Sequence, residues 1–252
     1  MIVTRGNHHG EVSNRPALVE GIVRPVLNGA FIVTGASSGL GLAIAKAIGG
    51  AGGTPIGFDV HKSEEAMEHE TVDVSDREAV NRAVSEVAET HGGLSGIVAN
   101  AGVDACGRFL DVSADAWERV IRVNLIGTAN LVRAALPYLI PSRGRVVTVA
   151  STLGLRAVSD ATAYCASKFA VVGFTRALST ELAGEVPVTL LIPGGMHTHF
   201  FDGRDEKYKP SADAKLNRPE DVAQSVVFAL SQPPGCEIRE MLVCPSTETS
   251  WP

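Results

Sequence analysis

A chain of 252 residues that is 45% hydrophobic and 20% charged is long enough to bury a substantial core, and this balance excludes a disordered tail protein or a coiled coil. Lys and Arg total 22 against 28 Asp and Glu, a net charge of −6 without a basic block, so nucleic acid is not an expected partner. No uninterrupted apolar run approaches the ~18–20 residues that span a bilayer, and His8, His9, Glu11, Arg15 and Pro16 stand where a signal peptide needs an apolar region. The expectation is a cytoplasmic protein with no membrane partner. Cys106, Cys165, Cys236 and Cys244 form no CxxC pair, which reads as free thiols in a reducing compartment.

In chain order, residues 1–29 show no strong periodicity and stand as an N-terminal extension before a single domain at 30–252. Short β-rich runs then alternate with longer amphipathic stretches, the signature of successive βαβ units and a parallel sheet. Seven strands are predicted, at 30–34, 54–59, 70–73, 96–100, 145–150, 188–192 and 241–244. Helices fit between them at 40–48, 76–90, 114–136, 162–183 and 219–230. Ser75 with Glu78 reads as a capping box for the second helix, Ser113 as the cap of the third, and Pro219 as a first-turn residue of the last. The fold class is therefore α/β, a doubly wound Rossmann arrangement. The polar stretch 195–216 is too long for an ordinary connection and is expected to form a mobile lid. The tail ends in Trp251, with packing against a neighbouring subunit and a frayed terminus both open.

The first strand runs directly into Gly35-Ala36-Ser37-Ser38-Gly39-Leu40-Gly41 and then a helix. Gly35 permits the turn, Gly39 lets a diphosphate approach the backbone, and Gly41 lets the helix pack on the strand. The helix N-terminus then offers N–H groups to the phosphates. A purely structural turn is the other reading of the same glycines. Asp59 ends the second strand, where a carboxylate accepts hydrogen bonds from adenosine ribose hydroxyls and repels a 2′-phosphate. Ser38 is not basic, and Lys62 is screened by solvent, so NAD is the expected cofactor and NADP the less favoured one.

Tyr164 and Lys168 are one helical turn apart and share a face. A phenol titrates near 10, so its use as a base at neutral pH requires a shift of ~3 units, or ~4 kcal/mol. An ammonium ~4 Å away at an effective dielectric of ~20 supplies about that much. Taken alone, the pair also reads as an exposed surface couple. Ser151 ends the fifth strand, at the sheet edge where open α/β folds hold ligands, though such a serine is often only a cap. Asn124 sits inside a helix, where asparagine is unfavourable unless recruited.

These features together resemble the short-chain dehydrogenase/reductase family over about residues 30–245. Thr34-Gly35, Gly39 and Gly41 match TGxxxGxG; Asn100-Ala101-Gly102 match NAG; Tyr164 to Lys168 is YxxxK; Pro193-Gly194 with Thr198 is similar to PGxxxT. The resemblance implies an adenine contact at Asp73 and Val74, and cofactor contacts through Thr34, Gly35, Ser37, Ser38, Gly39, Leu40, Gly41, Asp59, Asn100, Ala101, Gly102, Pro193, Gly194 and Thr198. It also implies a catalytic set of Asn124, Ser151, Tyr164 and Lys168, with Tyr164 and Lys168 touching the cofactor as well. The reaction implied is hydride transfer with a secondary alcohol or ketone as small-molecule substrate. An NADPH-dependent 3-oxoacyl-thioester reductase is the runner-up, and a catalytically idle dinucleotide-binding module is the reading from another class. Pocket walls are expected at 103–109, 152–158 and 195–210, lined by Leu153, Leu155, Val158, Met196 and Phe200. That lining favours a hydrophobic or cyclic substrate, with Arg156 and Arg204 available to an acid group. His197 and His199 carry no metal-ligand spacing with a carboxylate or cysteine, and no metal is expected. The resemblance further implies a homodimer or homotetramer.

Overall fold

The computed structural model describes residues 26–62, 67–211 and 213–248. The predicted extension up to residue 25, with His8 and His9, and the tail with Trp251 lie outside them. Leu27 is buried in the core and donates its N–H to the Ala51 carbonyl, so the packed body includes residues just ahead of the first strand.

Seven parallel strands form one sheet: β1 (Ala30–Thr34), β2 (Thr54–Asp59), β3 (Glu68–Thr71), β4 (Gly96–Ala99), β5 (Arg145–Val149), β6 (Val188–Pro193) and β7 (Glu240–Val243), in spatial order β3-β2-β1-β4-β5-β6-β7. Every residue of β1, β4 and β6 is buried, as expected for strands covered on both faces. The chain winds outward from β1 to β3, returns to pair β4 beside β1, and then winds the other way. Loops leaving β1 and β4 therefore diverge, and the crevice between them opens at the carboxyl edge of the sheet.

Helices α1 (Gly39–Gly50) and α6 (Pro219–Leu230) cover one face, burying Ile44, Ile48, Val222 and Val226. On the other lie α2 (Arg77–His91), α4 (Thr128–Ser142) and α5 (Thr162–Glu181), which contribute Val80, Val84, Leu131, Leu139 and Leu178 to the second core. The helix predicted at 114–136 is three segments in one run: α3 (Ala114–Ile121), a π-helical stretch (Arg122–Gly127) and α4. It passes Pro137 and Pro141 to reach Ser142. Pro137 forfeits one backbone bond, but Leu139 is completely buried just beyond it, and that burial keeps the turn helical. By length and composition this run is the one helix among the described residues able to cross a membrane. Its buried Asn124 and Asn130 are hydrogen-bonded within the fold, the behaviour of a core helix.

Two local expectations are corrected. Asp76, not Ser75, caps α2: its Oδ1 accepts from the N–H groups of Glu78 and Ala79, both at 3.0 Å. A carboxylate is the stronger acceptor at a helix N-terminus, and the Ser75 hydroxyl instead donates to Asp73 Oδ1 at 2.7 Å. Strand β3 begins two residues earlier than predicted and stops at Thr71, which leaves Asp73 in the loop beyond the sheet edge.

Candidate active site

The crevice is first fixed from behind. Thr34 Oγ1 accepts from the N–H groups of Asn100 and Ala101, both at 3.0 Å, and Asn100 Nδ2 donates to the Thr34 carbonyl at 2.9 Å. These bonds hold the ends of β1 and β4 together. In the turn that follows, Gly35 and Gly39 have φ of +69° and +54°, values that favour glycine. At Gly41 a Cβ would lie 2.0 Å from the Gly35 carbonyl oxygen, so that glycine serves helix-on-strand contact.

A cleft of about 530 Å³ runs across the carboxyl edge from β2 to β6. Asp59, Asp73 and Val74 line its first end, and Gly35, Ser37, Ser38, Gly39 and Leu40 the turn. Asn100, Ala101 and Gly102 follow, and Ser151, Tyr164, Lys168, Pro193, Gly194 and Thr198 line the far end. Thr34, Gly41 and Asn124 are not among the lining residues and act from the second layer. The Asp59 carboxylate is held against the glycine turn. Its Oδ2 accepts from the Ser37 N–H and hydroxyl at 3.0 and 2.7 Å, and its Oδ1 from the His61 N–H at 3.0 Å.

At the far end, Ser151 follows β5 and caps a short turn, accepting from the Leu153 N–H at 3.1 Å. It stands beside the Tyr164 phenol in the cleft. Burial drives the phenol pKa well above its ordinary value, and the neighbouring Ser151 hydroxyl draws it back only in part. Lys168 is 4% exposed, and its Nζ donates to the Val149 carbonyl at 2.8 Å. Burial lowers its pKa to about 8. The ammonium lies 5.7 Å from the Tyr164 ring centroid. Burial is the first cause of the shift at each of the two groups.

Asn124 occupies the π-helical stretch, a geometry that recurs at functional sites. Its Oδ1 accepts from the Val103 N–H at 2.8 Å, and its Nδ2 donates to the Val103 carbonyl and Ser167 Oγ, both at 3.0 Å. It thereby ties the loop after β4 to α5, beside Lys168.

The stretch 195–216 closes this end with two short 3₁₀ turns, His199–Phe201 and Glu206–Tyr208. Phe200 packs 5.6 Å from Tyr164. Arg204 lies 5.0 Å over Phe200 and 4.6 Å over Phe201, and it pairs with Asp104, whose side chain is 6% exposed. Of the expected apolar walls, Leu153, Met196 and Phe200 line the cleft. Leu155 packs inward against Val171, Val172 and Ile192, while Val158 and Phe109 face solvent. Arg204 lines the cleft and Arg156 does not. His199 pairs with Asp202 at 2.7 Å on the surface, and no cluster of three metal-type ligands occurs among the described residues. The sequence reading missed His61 and Glu248 as lining residues. His61 lies two residues from Asp59, a recognised position; nothing in the sequence near Glu248 signals its place.

The model for short chain dehydrogenases matches residues 30–209. This chain belongs to the short-chain dehydrogenase/reductase family. It is an oxidoreductase of that family: an uncharacterised oxidoreductase of Staphylococcus aureus (strain MW2) is 33% identical over 226 residues, covering 85% of this chain and 96% of the relative. A 3-oxoacyl-(acyl-carrier-protein) reductase of Thermotoga maritima is 31% identical over 219 residues, covering 79% and 89%. Among solved structures, the ligand-free aldohexose dehydrogenase of Thermoplasma acidophilum superposes with a TM-score of 0.78 at 28% identity, covering 86% of this chain and 92% of that one. A serine dehydrogenase complexed with NADP+ gives 0.80 at 26% identity, covering 87% and 96%.

Proposed function

We propose that this family member is an NAD-dependent alcohol dehydrogenase or carbonyl reductase, acting on a secondary alcohol or ketone of hydrophobic or cyclic character. One observation carries the reading: Ser151, Tyr164 and Lys168 line one end of the same cleft that begins at Asp59. The residues fit a dinucleotide. The positive-φ glycines leave backbone exposed at the α1 N-terminus, and a Cβ at Gly39 would press to 3.3 Å from Thr198 Cβ, so the missing side chain keeps that passage open. When bound, the nicotinamide supplies the hydride acceptor or donor.

The chain's own residues handle the proton. In the reductive direction the Tyr164 phenol gives its Oη proton to the carbonyl oxygen of the substrate as the carbon takes up the hydride, the protonated state that burial favours, and Ser151 Oγ holds the substrate oxygen in place. Lys168 sets a positive charge beneath this pair and stands available to the nicotinamide ribose. Asn124 is a positioning residue. Phe200 and the Arg204–Asp104 pair exclude water from the reacting end. A homo-oligomer in the cytoplasm completes the reading.

The test is Tyr164→Phe, assayed by NADH oxidation and NAD+ reduction across ketones, hydroxysteroids and polyols. Cofactor binding is expected to survive, and turnover to fall at least ~100-fold, the lower range of general acid–base contributions. Turnover within a few-fold of wild type would overturn the assignment. The Thermotoga relative favours a second reading, reduction of 3-oxoacyl thioesters with NADPH, and acyl thioesters belong in the same screen.

A further inference from the structure

Glu248 lies beyond the residues that the family model matches, yet it lines the same cleft as Tyr164 and Ser151. Topology explains its arrival. Strand β7 runs parallel to β6, with Gly194 donating its N–H to the Val243 carbonyl at 2.9 Å, so β7 ends at the ligand-binding edge of the sheet. The chain then folds back through a turn in which the Glu248 N–H reaches the Pro245 carbonyl at 3.0 Å. This carries the carboxylate over the end of β6. Its Oε2 accepts from the Gly195 N–H at 2.9 Å. A Cβ at Gly194 would lie 2.3 Å from the same oxygen, so glycine at 194 is what permits the approach. Glu248 is half-buried there.

The occupant of this end follows from the proposed function, on which the inference rests. With the adenosine ribose at Asp59, the nicotinamide must lie toward Tyr164, Ser151 and the Pro193–Thr198 backbone, because the hydride moves at the atoms Tyr164 and Ser151 attend. The nicotinamide ring is positively charged when oxidised and neutral when reduced. We infer that Glu248 is a cofactor-positioning residue whose carboxylate favours the oxidised nicotinamide over the reduced one. Bound cofactor is thereby pulled toward its oxidised form, and bound NADH is the stronger reductant for it.

The experiment is calorimetric titration of NAD+ and NADH into substrate-free wild type, Glu248→Gln and Glu248→Ala. The Gln variant keeps an oxygen able to accept from the Gly195 N–H but removes the charge. It is expected to weaken NAD+ about tenfold while leaving NADH unchanged, the scale of one unit charge several ångströms away at a partly exposed site. Glu248→Ala is expected to show the same selective loss plus a smaller loss common to both forms. A Gln variant that binds both forms as wild type does, or weakens both equally, overturns the inference and leaves the cofactor reading standing. If wild type prefers the phosphorylated cofactors, the same comparison with NADP+ and NADPH decides it. Wild type that binds none of the four overturns both readings together.

Discussion

Asp59 and Lys168 show how neighbours decide what a side chain does. The Asp59 carboxylate is fixed by three donors from Ser37 and His61, so it presents its charge at one place at the end of the cleft proposed for the ribose. Lys62, the nearest cation in sequence, is exposed and screened over ~8 Å. NAD(H) is therefore expected to be preferred over NADP(H) by at least about tenfold in kcat/KM, or ~1.4 kcal/mol, and Asp59→Ala to narrow that ratio. Equal or better kcat/KM with NADPH would contradict the assignment. Lys168 yields a different prediction. Its folded pKa of about 8 lies below the unfolded 10.5, so between these values the unfolded chain binds more protons and stability rises with pH. The full gain is roughly 3 kcal/mol. Lys168→Met has no buried ammonium and should be more stable than wild type at pH 7, with that advantage shrinking as pH passes from 8 to 9. Urea denaturation at each pH measures it. Above pH 9 the trend is opposed, because burial and Asp104 raise the Cys106 thiol to about 12 while an unfolded thiol ionises near 9.0. An advantage that does not change with pH would show that Lys168 is not buried as an ammonium.

At the scale of elements, the caps and the long helix carry the lesson. The Ser75–Glu78 spacing satisfies the capping-box pattern, but Asp76 is one residue closer to the helix and carries a charge. Asp76→Ala should therefore cost about 1 kcal/mol, a fall of roughly 2–4 °C in Tm for a chain of this size, whereas Ser75→Ala should cost less. Thermal melts of the two variants compare them directly, and a larger loss from Ser75→Ala would reverse the cap assignment. The π-helical stretch escapes periodicity analysis because the change in winding lies inside an otherwise continuous helical pattern. What fixes it is tertiary: Asn124 bonds Val103 and Ser167 on either side.

Across the whole molecule, the described surface keeps several large apolar residues in water. Ile126 in the π-helical stretch, Ile140 in α4 and Phe169 in α5 are 45%, 42% and 44% exposed. These elements carry more apolar surface than the sheet covers, and such patches mark interaction surfaces. A homodimer or homotetramer is expected, with light scattering at micromolar concentration giving a mass of two or four chains. A monomeric mass would contradict it, and Phe169→Glu should lower the mass if α5 lies in the interface.

The strand alternation, the glycine turn after β1 and the Tyr164–Lys168 spacing were legible in the chain alone, since each is a local pattern imposed by backbone periodicity or by φ. Local pattern also placed Asp59 and Ser151, because strand ends in a parallel sheet share one edge. Three-dimensional packing decided the rest. Leu155 turned into the core and Val158 out to solvent, although both belong to the expected apolar wall. Burial raises the Tyr164 phenol and lowers the Lys168 ammonium, a consequence of packing that their spacing cannot reveal. Glu248 reached the cleft only because β7 pairs in parallel with β6, a contact between segments far apart in sequence.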